Sequence, residues 1–258
     1  MEKQRLRTSP HCRKPPMPFS ASLKSSRWHA GLLAAAALLA GSLGAQAQSF
    51  CASDGQPQPV QLLERFINAD CDSCWIDPAT PKPGRQAIAL DWIVPGSQGD
   101  DAPLSGVATR DALVRLAAFK ASVPANTRTV QHPVLGIRGA RLRVAHGLPV
   151  SGYLGTSIEL KPVPPAARQP LTVWLALVET LPAGTEGSPV ERNLVRNVFS
   201  RIWNGPKKLL KDEQNRLFES RSMNIAPAAQ ADRLRVIGWV ENEKGQLLSA
   251  AQSRCAAP

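Results

Sequence analysis

A pair of cysteines directly after a strand-like segment constrains this chain more than any other feature. The segment VQLLERFIN (60–68) has the apolar content of a strand, and Cys71 and Cys74 follow it at once. IALDWIV (88–94) is too continuously apolar to be an edge strand. TRDALVRLAAFKASV (109–123) predicts a helix with Thr109 as its cap. In this context the Cys-x-x-Cys pair is a redox dithiol, a structural disulfide or half of a metal site.

The first 47 residues have the features of a cleavable export signal. Basic residues predominate over 1–29, the apolar run AGLLAAAALLAG covers 30–41, and AQA (45–47) has the small–x–small pattern of a signal peptidase site. The apolar run is shorter than a transmembrane helix requires, although a retained anchor is the alternative. We expect cleavage after Ala47, a periplasmic or secreted protein, and no membrane attachment after cleavage.

Export would also reduce the positive charge of the protein. The whole chain has a net charge of +11, but seven of its 31 basic residues and one of its 20 acidic residues lie in 1–47, which leaves +5. We interpret the basic cluster GPKKLLKDE (205–213) as a solvated turn. The sequence has no nucleic-acid-binding motif, P-loop, zinc-protease helix or dinucleotide fingerprint, so we expect no nucleic-acid partner and no cofactor.

The remaining cysteines agree with an oxidising compartment. Cys12 would leave with the signal, and Cys51, Cys71, Cys74 and Cys255 would remain as an even number. Cys51 and Cys255 lie at opposite ends of the mature chain, and the ends of a domain are often close together. We therefore predict a Cys51–Cys255 structural disulfide, with a stabilisation on the order of 4–5 kcal/mol in the chain-entropy model.

The rest of the sequence is mostly strand-like. TVQHPVLGIRGARLRVAHG (129–147) predicts a strand, a tight turn and a strand, and a proline-rich link at 160–170 separates this half from the next. NEKG (242–245) predicts a hairpin turn. SPVERNLVRNVFSRIWNG (188–205) is contested, because its Ser cap, early proline and capping box favour a helix.

The order of these segments resembles a thioredoxin-like domain, in which a cis proline starts the strand that faces the dithiol. Pro133 stands in that place in the sequence. More narrowly, VQLLERFINADCDSCW resembles the ELFTS-x-GCSSCPPAD opening of an exported proteobacterial family of unknown function. IALDWIVPG, VATRDALVRLA, RNLVRNVFSRIWNG and RLRVIGWVENEKGQLLSAAQ resemble later parts of that family, so that the similarity spans roughly 58–253. The family joins a thioredoxin-like half to a β-rich half, and the resemblance implies a strand at the contested segment.

The chain departs from the family directly after the second cysteine. Family members have an amphipathic helix there, whereas Pro78, Pro81 and Pro83 leave room for at most one helical turn. A redox dithiol usually depends on a helix amino terminus that stabilises the thiolate. Asp70, Asp72 and Asp77 oppose ionisation of a neighbouring thiol. We therefore expect an inert pair that favours the disulfide.

Three interpretations of Cys71 and Cys74 remain open. In the first, Cys71 attacks the disulfide of another exported protein, Cys74 resolves the mixed disulfide, and Pro133 holds the partner's backbone. In the second, the pair is a structural disulfide of a non-catalytic binding or assembly module. In the third, it binds zinc, although the sequence shows no second close pair of soft ligands.

Three other features have both a functional and a structural interpretation. His132 is an acid–base group near the dithiol or a polar residue on a strand rim. Trp75 is a platform for a substrate or a packing residue. The acids of DWIVPGSQGDD (91–101) are a cation site or a solvated loop. In each case the structural interpretation is the expected one.

These observations predict an α+β protein with a reduced thioredoxin-like domain (48–160) followed by a β-sandwich-like domain (171–258). The expected function is slow thiol–disulfide exchange through Cys71 and Cys74, and the expected partner is a disulfide or dithiol of another exported protein. No metal is expected.

Overall fold

The computed structural model describes residues 51–163, 169–204 and 215–255. The predicted export signal (1–47), the basic cluster (205–213) and the middle of the proline-rich link (164–168) lie outside these residues. Within the described ranges, no helix combines the length and the apolar character that crossing a membrane requires.

Strands are the main regular structure of the described residues. In chain order these are β1 (Cys51–Ala52), β2 (Gln61–Asn68), β3 (Ala87–Val94), β4 (Thr127–Pro133), β5 (Arg141–Val150), β6 (Tyr153–Lys161), β7 (Leu171–Leu181), β8 (Arg192–Trp203), β9 (Leu217–Asn224), β10 (Leu234–Glu241), β11 (Leu247–Gln252) and β12 (Arg254–Cys255). The α-helices in these ranges are α1 (Asp72–Trp75) and α2 (Arg110–Ala118), and short 3-10 helices occur at Gly99–Asp101, Ser105–Val107 and Ala231–Arg233.

The larger sheet has seven strands in the order β11-β10-β7-β8-β3-β2-β4. β2 and β3 are parallel along their whole length, and β4 runs antiparallel to β2 on its other side. β3 also pairs with β8, which confirms that IALDWIV is an interior strand. β2 and β3 are buried at nearly every position, and this explains why their sequences are continuously apolar rather than alternating.

The smaller sheet has five strands in the order β12-β1-β5-β6-β9. β6 alternates between buried and more exposed positions, as expected for a strand with one face on the core. The two sheets pack closely at Gly238 in β10, where an added Cβ would lie 2.6 Å from side-chain atoms of both Val144 and Ile158. Only a glycine leaves room for this approach.

The opposite face of the larger sheet is covered by α2. The Thr109 hydroxyl accepts a hydrogen bond from the Ala112 amide and caps this helix, as the sequence predicts. Ala112 and Leu116 are buried against side chains of β2 and β3. The helix therefore seals the face of the sheet that carries Glu64.

The predicted fold class, a reduced thioredoxin-like domain followed by a β-sandwich-like domain, is wrong. The strands of the two halves interleave in two large sheets: β2, β3 and β4 share the larger sheet with β7, β8, β10 and β11, and β5 and β6 share the smaller one with β9 and β12. The second cysteine lies inside the single turn α1, and among the described residues no longer helix follows it before β3. The described residues thus form a predominantly β structure, because pairing between distant strands decides which sheet each strand joins.

The predicted hairpin over 129–147 is also wrong. β4 belongs to the larger sheet and β5 to the smaller one, so that the glycine-containing segment between them crosses from one sheet to the other. The contested segment is a strand, since β8 pairs with β7 in an antiparallel register from Arg192 to Trp203. The β10–β11 hairpin is confirmed.

Candidate functional site at the Cys71–Cys74 disulfide

Cys71 and Cys74 form a disulfide at the carboxyl end of β2. β2 ends at Asn68, and the chain turns through Cys71 into the single helical turn α1. Both cysteines are half-buried, and Cys74 packs against the apolar cluster that contains Ile67 and Trp75. Cys71 Sγ lies 3.6 Å from the Ser73 hydroxyl. The disulfide therefore lies at the surface, where another molecule can reach it.

The residue before the disulfide is anchored to a neighbouring loop. The Asp70 carboxylate accepts hydrogen bonds from the amide and hydroxyl of Ser97 and from the amide of Gln98. Desolvation acts to raise the pKa of Asp70, but these hydrogen bonds outweigh it and the pKa is lowered. Gly96 leaves the space for this contact, because an added Cβ there would lie 2.2 Å from Asp70 Oδ1. The negative charge of Asp70 is thus fixed beside Cys71.

Beneath the disulfide, two arginines share one buried carboxylate. Arg65 Nη2 lies 2.6 Å from Asp91 Oδ2, and Arg192 Nη1 lies 3.0 Å from Asp91 Oδ1. Asp91 is fully buried and also accepts a hydrogen bond from the backbone N–H of Asn193. Burial lowers the pKa of Arg192, and Asp91 opposes this effect. The cluster of Arg65, Asp91 and Arg192 joins β2, β3 and β8.

This cluster also holds the turn that carries the disulfide. Arg192 donates a hydrogen bond to the Trp75 carbonyl, and its guanidinium lies 4.9 Å from the centre of the Trp75 ring. The Trp75 indole N–H donates to the Glu186 carbonyl at 2.7 Å. Because Trp75 is 7 % exposed, its packing interpretation is confirmed. Arg65 donates to the Pro81 carbonyl on the far side of the turn.

A shallow cleft with a cavity volume of about 40 Å³ opens beside Cys74. Its walls are formed by the disulfide turn, the buried arginines and the start of β4, with the lining residues Arg65, Ile67, Cys74, Asp77, Thr80, Pro81, Thr127, Thr129 and Arg192. β4 is an edge strand of the larger sheet. An extended partner segment therefore has access both to the disulfide and to an open strand edge.

Pro133 does not lie beside Cys71, as its predicted role of holding a partner's backbone requires. It pairs with Gln61 at the first residue of β2, whereas Cys71 follows the last residue of that strand. The eight residues of β2 separate the two positions by about 25 Å. The His132–Pro133 peptide bond is trans, since among the described residues the cis bond is Lys161–Pro162. Pro133 cannot hold a partner's backbone beside Cys71.

The proposed roles of His132 and of the acidic residues fail for the same reason of placement. His132 pairs with Leu62 near the start of β2, far from the disulfide. Asp91 is buried in the arginine cluster, while Asp100 and Asp101 lie on an exposed 3-10 helix, so that the three acids do not form a cation site.

The sequence reasoning missed a second buried charge cluster, on the opposite face of the larger sheet. Arg115 of α2 is bound by both carboxylate oxygens of Glu64 and lies 2.7 Å from Glu241 Oε1. The indole N–H groups of Trp174 and Trp239 donate to Glu241, and the guanidinium lies 4.9 and 5.1 Å from their ring centres. Glu64 in β2 and Asp91 in β3 are charged residues inside continuously apolar strands. This pattern was the sequence signal for the two buried charge clusters.

Glu64 is ionised in spite of its complete burial. Desolvation acts to raise its pKa, but Arg115 and His132 outweigh this effect and the pKa is lowered. His132 Nε2 lies 3.3 Å from Glu64 Oε1, without hydrogen-bond geometry. Glu64, Arg115 and Glu241 are buried and paired with one another, so that we interpret the cluster as structural.

The predicted Cys51–Cys255 disulfide is present. It joins β1 to β12 at the edge of the smaller sheet, and Cys51 is 1 % exposed. It is therefore the more deeply buried of the two disulfides, and it lies on a different sheet from Cys71 and Cys74.

Comparison with known proteins identifies only distant structural likeness. No known protein family matches the chain, and no curated protein sequence is detectably similar to it. HBP35 of Porphyromonas gingivalis superposes with a TM-score of 0.50 at 10 % sequence identity, over 76 % of this chain and 74 % of that one. Chicken MD-1, solved in complex with lipid IVa, gives a TM-score of 0.20 at 12 % identity, over 49 % of this chain and 97 % of that one. The first likeness concerns the fold alone, and the second is too low to support any argument.

Proposed function

We propose that this chain is an exported protein that carries out slow thiol–disulfide exchange at Cys71 and Cys74 on another exported protein. The observation that carries the proposal is the position of this disulfide: it is half-buried at the surface, beside a cleft and an open strand edge. The amino-terminal pattern of 1–47 and the two disulfides are compatible with an oxidising compartment such as the periplasm. The resemblance to the exported proteobacterial family remains part of this proposal.

The exchange begins with the reduced pair. The Cys71 thiolate attacks one sulfur of a partner's disulfide, a bond forms between the two sulfurs, and the partner's other sulfur leaves as a thiolate that takes up a proton. The Cys74 thiolate then attacks Cys71 Sγ and releases the partner's second thiolate. The partner is reduced to a dithiol, and Cys71–Cys74 is oxidised to the disulfide of the structure. The reverse sequence oxidises a partner dithiol.

Several contacts favour Cys71 as the attacking residue. Its sulfur lies near the Ser73 hydroxyl, which can donate to a thiolate, whereas Cys74 packs on apolar side chains. The reaction is expected to be slow because α1 is a single turn and because Asp70 holds a negative charge beside Cys71. Pro133 contributes nothing to it.

A second function is favoured by the short helix and the fixed charge at the disulfide. α1 is a single turn and Asp70 holds a negative charge beside Cys71, and both features disfavour the thiolate that exchange needs. In this alternative the chain is a non-catalytic binding or assembly module, and Cys71–Cys74 is permanent.

The reduction potential of Cys71–Cys74 separates the two functions. The protein would be equilibrated in redox buffers of graded potential, alkylated, and analysed by mass spectrometry of the peptide that contains both cysteines. We expect a potential between about −200 and −270 mV, in the range of exchange proteins. A value below about −300 mV, typical of structural disulfides, would contradict exchange.

A trapping experiment tests the order of attack. A Cys74→Ser variant should accumulate mixed disulfides through Cys71 when it is given a disulfide-containing exported protein, whereas Cys71→Ser should accumulate far fewer. The Cys71→Ser/Cys74→Ser variant is the control and should trap none. Equal trapping by all three variants would show that the adducts come from other cysteines.

A further inference from the structure

His146 lies directly beside the buried Cys51–Cys255 disulfide. Cys51 is opposite Cys255 on one neighbouring strand and opposite His146 on the other, so that the three residues form one row across β12, β1 and β5. The two sulfurs and an imidazole nitrogen all lie within 4.8 Å of one another. Three strands that are distant in sequence thus bring two sulfur ligands and one nitrogen ligand together.

The imidazole of His146 is arranged as a metal ligand would be. Nδ1 lies 3.0 Å from the Gly147 carbonyl, and because a carbonyl only accepts, Nδ1 carries the proton and donates it. Nε2 therefore has a free lone pair, and it is buried without a hydrogen-bond partner. A histidine whose one nitrogen donates to a backbone carbonyl while the other is free matches the arrangement that orients metal-bound histidines.

The buried Nε2 of His146 has no hydrogen-bond partner among the described residues. His146 is 5 % exposed, and a buried polar nitrogen without a partner costs about 1–3 kcal/mol. With Nδ1 donating to the Gly147 carbonyl and Nε2 without a partner, the ring is set as the neutral imidazole that binds metals.

We propose that, when the Cys51–Cys255 disulfide is reduced, the two thiolates and Nε2 of His146 bind one Zn²⁺ ion. Two thiolates and one imidazole are a known zinc ligand set, with the fourth tetrahedral position left for water. The ligand atoms must lie about 3.3–3.8 Å apart around the ion, so the two sulfurs must move apart after reduction, starting from an arrangement in which all three ligand atoms lie within 4.8 Å. The zinc ion then joins β1 to β12 in place of the covalent bond.

The chemistry needs a reductant of the dithiol class. A dithiol gives two electrons and two protons to the disulfide, becomes a disulfide itself, and leaves Cys51 and Cys255 as thiols. Zn²⁺ then displaces the two thiol protons, which pass to the solvent. Cys255 is only partly buried and belongs to a two-residue edge strand, so that it is the sulfur that the reductant can reach.

Zinc titration of the reduced protein tests the site. The protein would be reduced with a dithiol, freed of excess reductant under anaerobic conditions, and titrated with Zn²⁺ against a chromophoric chelator. We expect one ion per reduced chain, with the release of close to two protons per ion at neutral pH, and no uptake at this site by the oxidised protein. Equal uptake by the oxidised protein would overturn the proposal.

Variants assign the ligands and exclude the other cysteine pair. His146→Ala should weaken zinc binding by at least about tenfold, and Cys51→Ser/Cys255→Ser should abolish it. His132→Ala and Cys71→Ser/Cys74→Ser are the matched controls and should leave it unchanged. Loss of binding in Cys71→Ser/Cys74→Ser, or unchanged binding in His146→Ala, would overturn the proposal.

The folding of the reduced chain supplies a second readout. If the reduced protein is folded, Zn²⁺ should raise its thermal unfolding midpoint and leave that of the oxidised protein unchanged. If reduction unfolds the protein, Zn²⁺ should restore its β-sheet circular dichroism spectrum, and His146→Ala should prevent this. A reduced chain that neither binds zinc nor responds to it in either measurement would overturn the proposal.

Discussion

The Cys51–Cys255 and Cys71–Cys74 disulfides differ in the length of chain that they close and in what surrounds them. The first joins residues 204 positions apart and is buried between strands of the smaller sheet, whereas the second spans three positions and is half-exposed at the end of a strand of the larger sheet. The long loop constrains the unfolded chain, and the short loop constrains little. Two bonds of the same chemistry are therefore suited to different tasks.

The surroundings of the two disulfides strengthen this contrast. Around Cys51–Cys255 the neighbouring polar group is the neutral His146 ring, and the covalent bond itself fixes the position of β12. Around Cys71–Cys74 the turn is held by Arg65, Asp91 and Arg192. A disulfide whose turn is already fixed by other contacts can open without loss of the fold, which exchange requires.

The largest expected difference is in stability. Cys51→Ala/Cys255→Ala should lower the free energy of unfolding by about 5 kcal/mol, because the bridge closes so long a loop. Cys71→Ala/Cys74→Ala should lower it by no more than about 1.6 kcal/mol in the same treatment. Urea unfolding of the two double variants beside the wild type measures both values. Equal losses would show that the second disulfide also holds the fold.

If buried charges rather than the disulfide hold the turn around Trp75, removing Arg192 should lower the free energy of unfolding more than removing the Cys71–Cys74 bond does. Arg192→Met should lower the free energy of unfolding by about 3–5 kcal/mol, because it breaks a buried ion pair with Asp91 and removes the donor to the Trp75 carbonyl. Arg201→Met, on the same strand but in an exposed pair with Glu219, should cost less than about 1 kcal/mol. Similar unfolding curves for both variants would contradict this account of the turn.

The contrast between the two regions also shows what local sequence can predict. VQLLERFIN and IALDWIV correspond to β2 and β3, and Thr109 caps α2, because apolar patterns and caps depend on neighbours in the sequence. The sheet that each strand joins depends on distant pairing, as between β3 and β8, and no local pattern encodes it. The thioredoxin-like interpretation therefore failed although the order of its first strands was correct.

The same limit applies to the candidate sites: features that depend on local sequence could be predicted, and features that depend on strand pairing could not. The Cys51–Cys255 bridge follows from the even number of cysteines and from their places near the chain ends, and it needs no knowledge of the strand order. The position of His146 opposite Cys51 depends on the register of a two-residue strand, and that of Arg192 beneath Trp75 depends on β8 crossing the sheet. Pro133 was misplaced because its proline and glycine pattern also suits a crossing between sheets.

Acid is expected to destabilise the fold by protonating Glu64 in β2. The pKa of Glu64 is lowered in the folded protein, so that its ionised form stabilises the fold above the unfolded value of 4.5, and this contribution is lost as the pH falls through the folded pKa. Glu64→Gln should cost about 2–3 kcal/mol near pH 7, since the amide still accepts one hydrogen bond, and less near pH 3, below the unfolded pKa of 4.5. Urea unfolding at both pH values measures this.

An exposed acid provides the control for the acid experiment. Glu186→Gln removes a surface carboxylate that pairs with Arg233 and keeps the backbone carbonyl that binds Trp75, so that it should cost less than about 1 kcal/mol at either pH. If Glu64→Gln lost as much stability in acid as at neutral pH, the ionisation of Glu64 would not be the source of its effect.

The smallest expected effect is on the reduction potential of Cys71–Cys74. Asp70→Asn removes a negative charge beside Cys71 and keeps an oxygen that accepts from Ser97, so that the reduced, thiolate form becomes more favourable. The potential should rise by about 15 mV, the small shift expected for one exposed charge. Asp54→Asn, which neutralises an acid paired with Arg143 near the smaller sheet, should leave the potential unchanged. A shift of the same size in both variants would show that net charge, rather than the fixed carboxylate beside Cys71, sets the potential of the exposed disulfide.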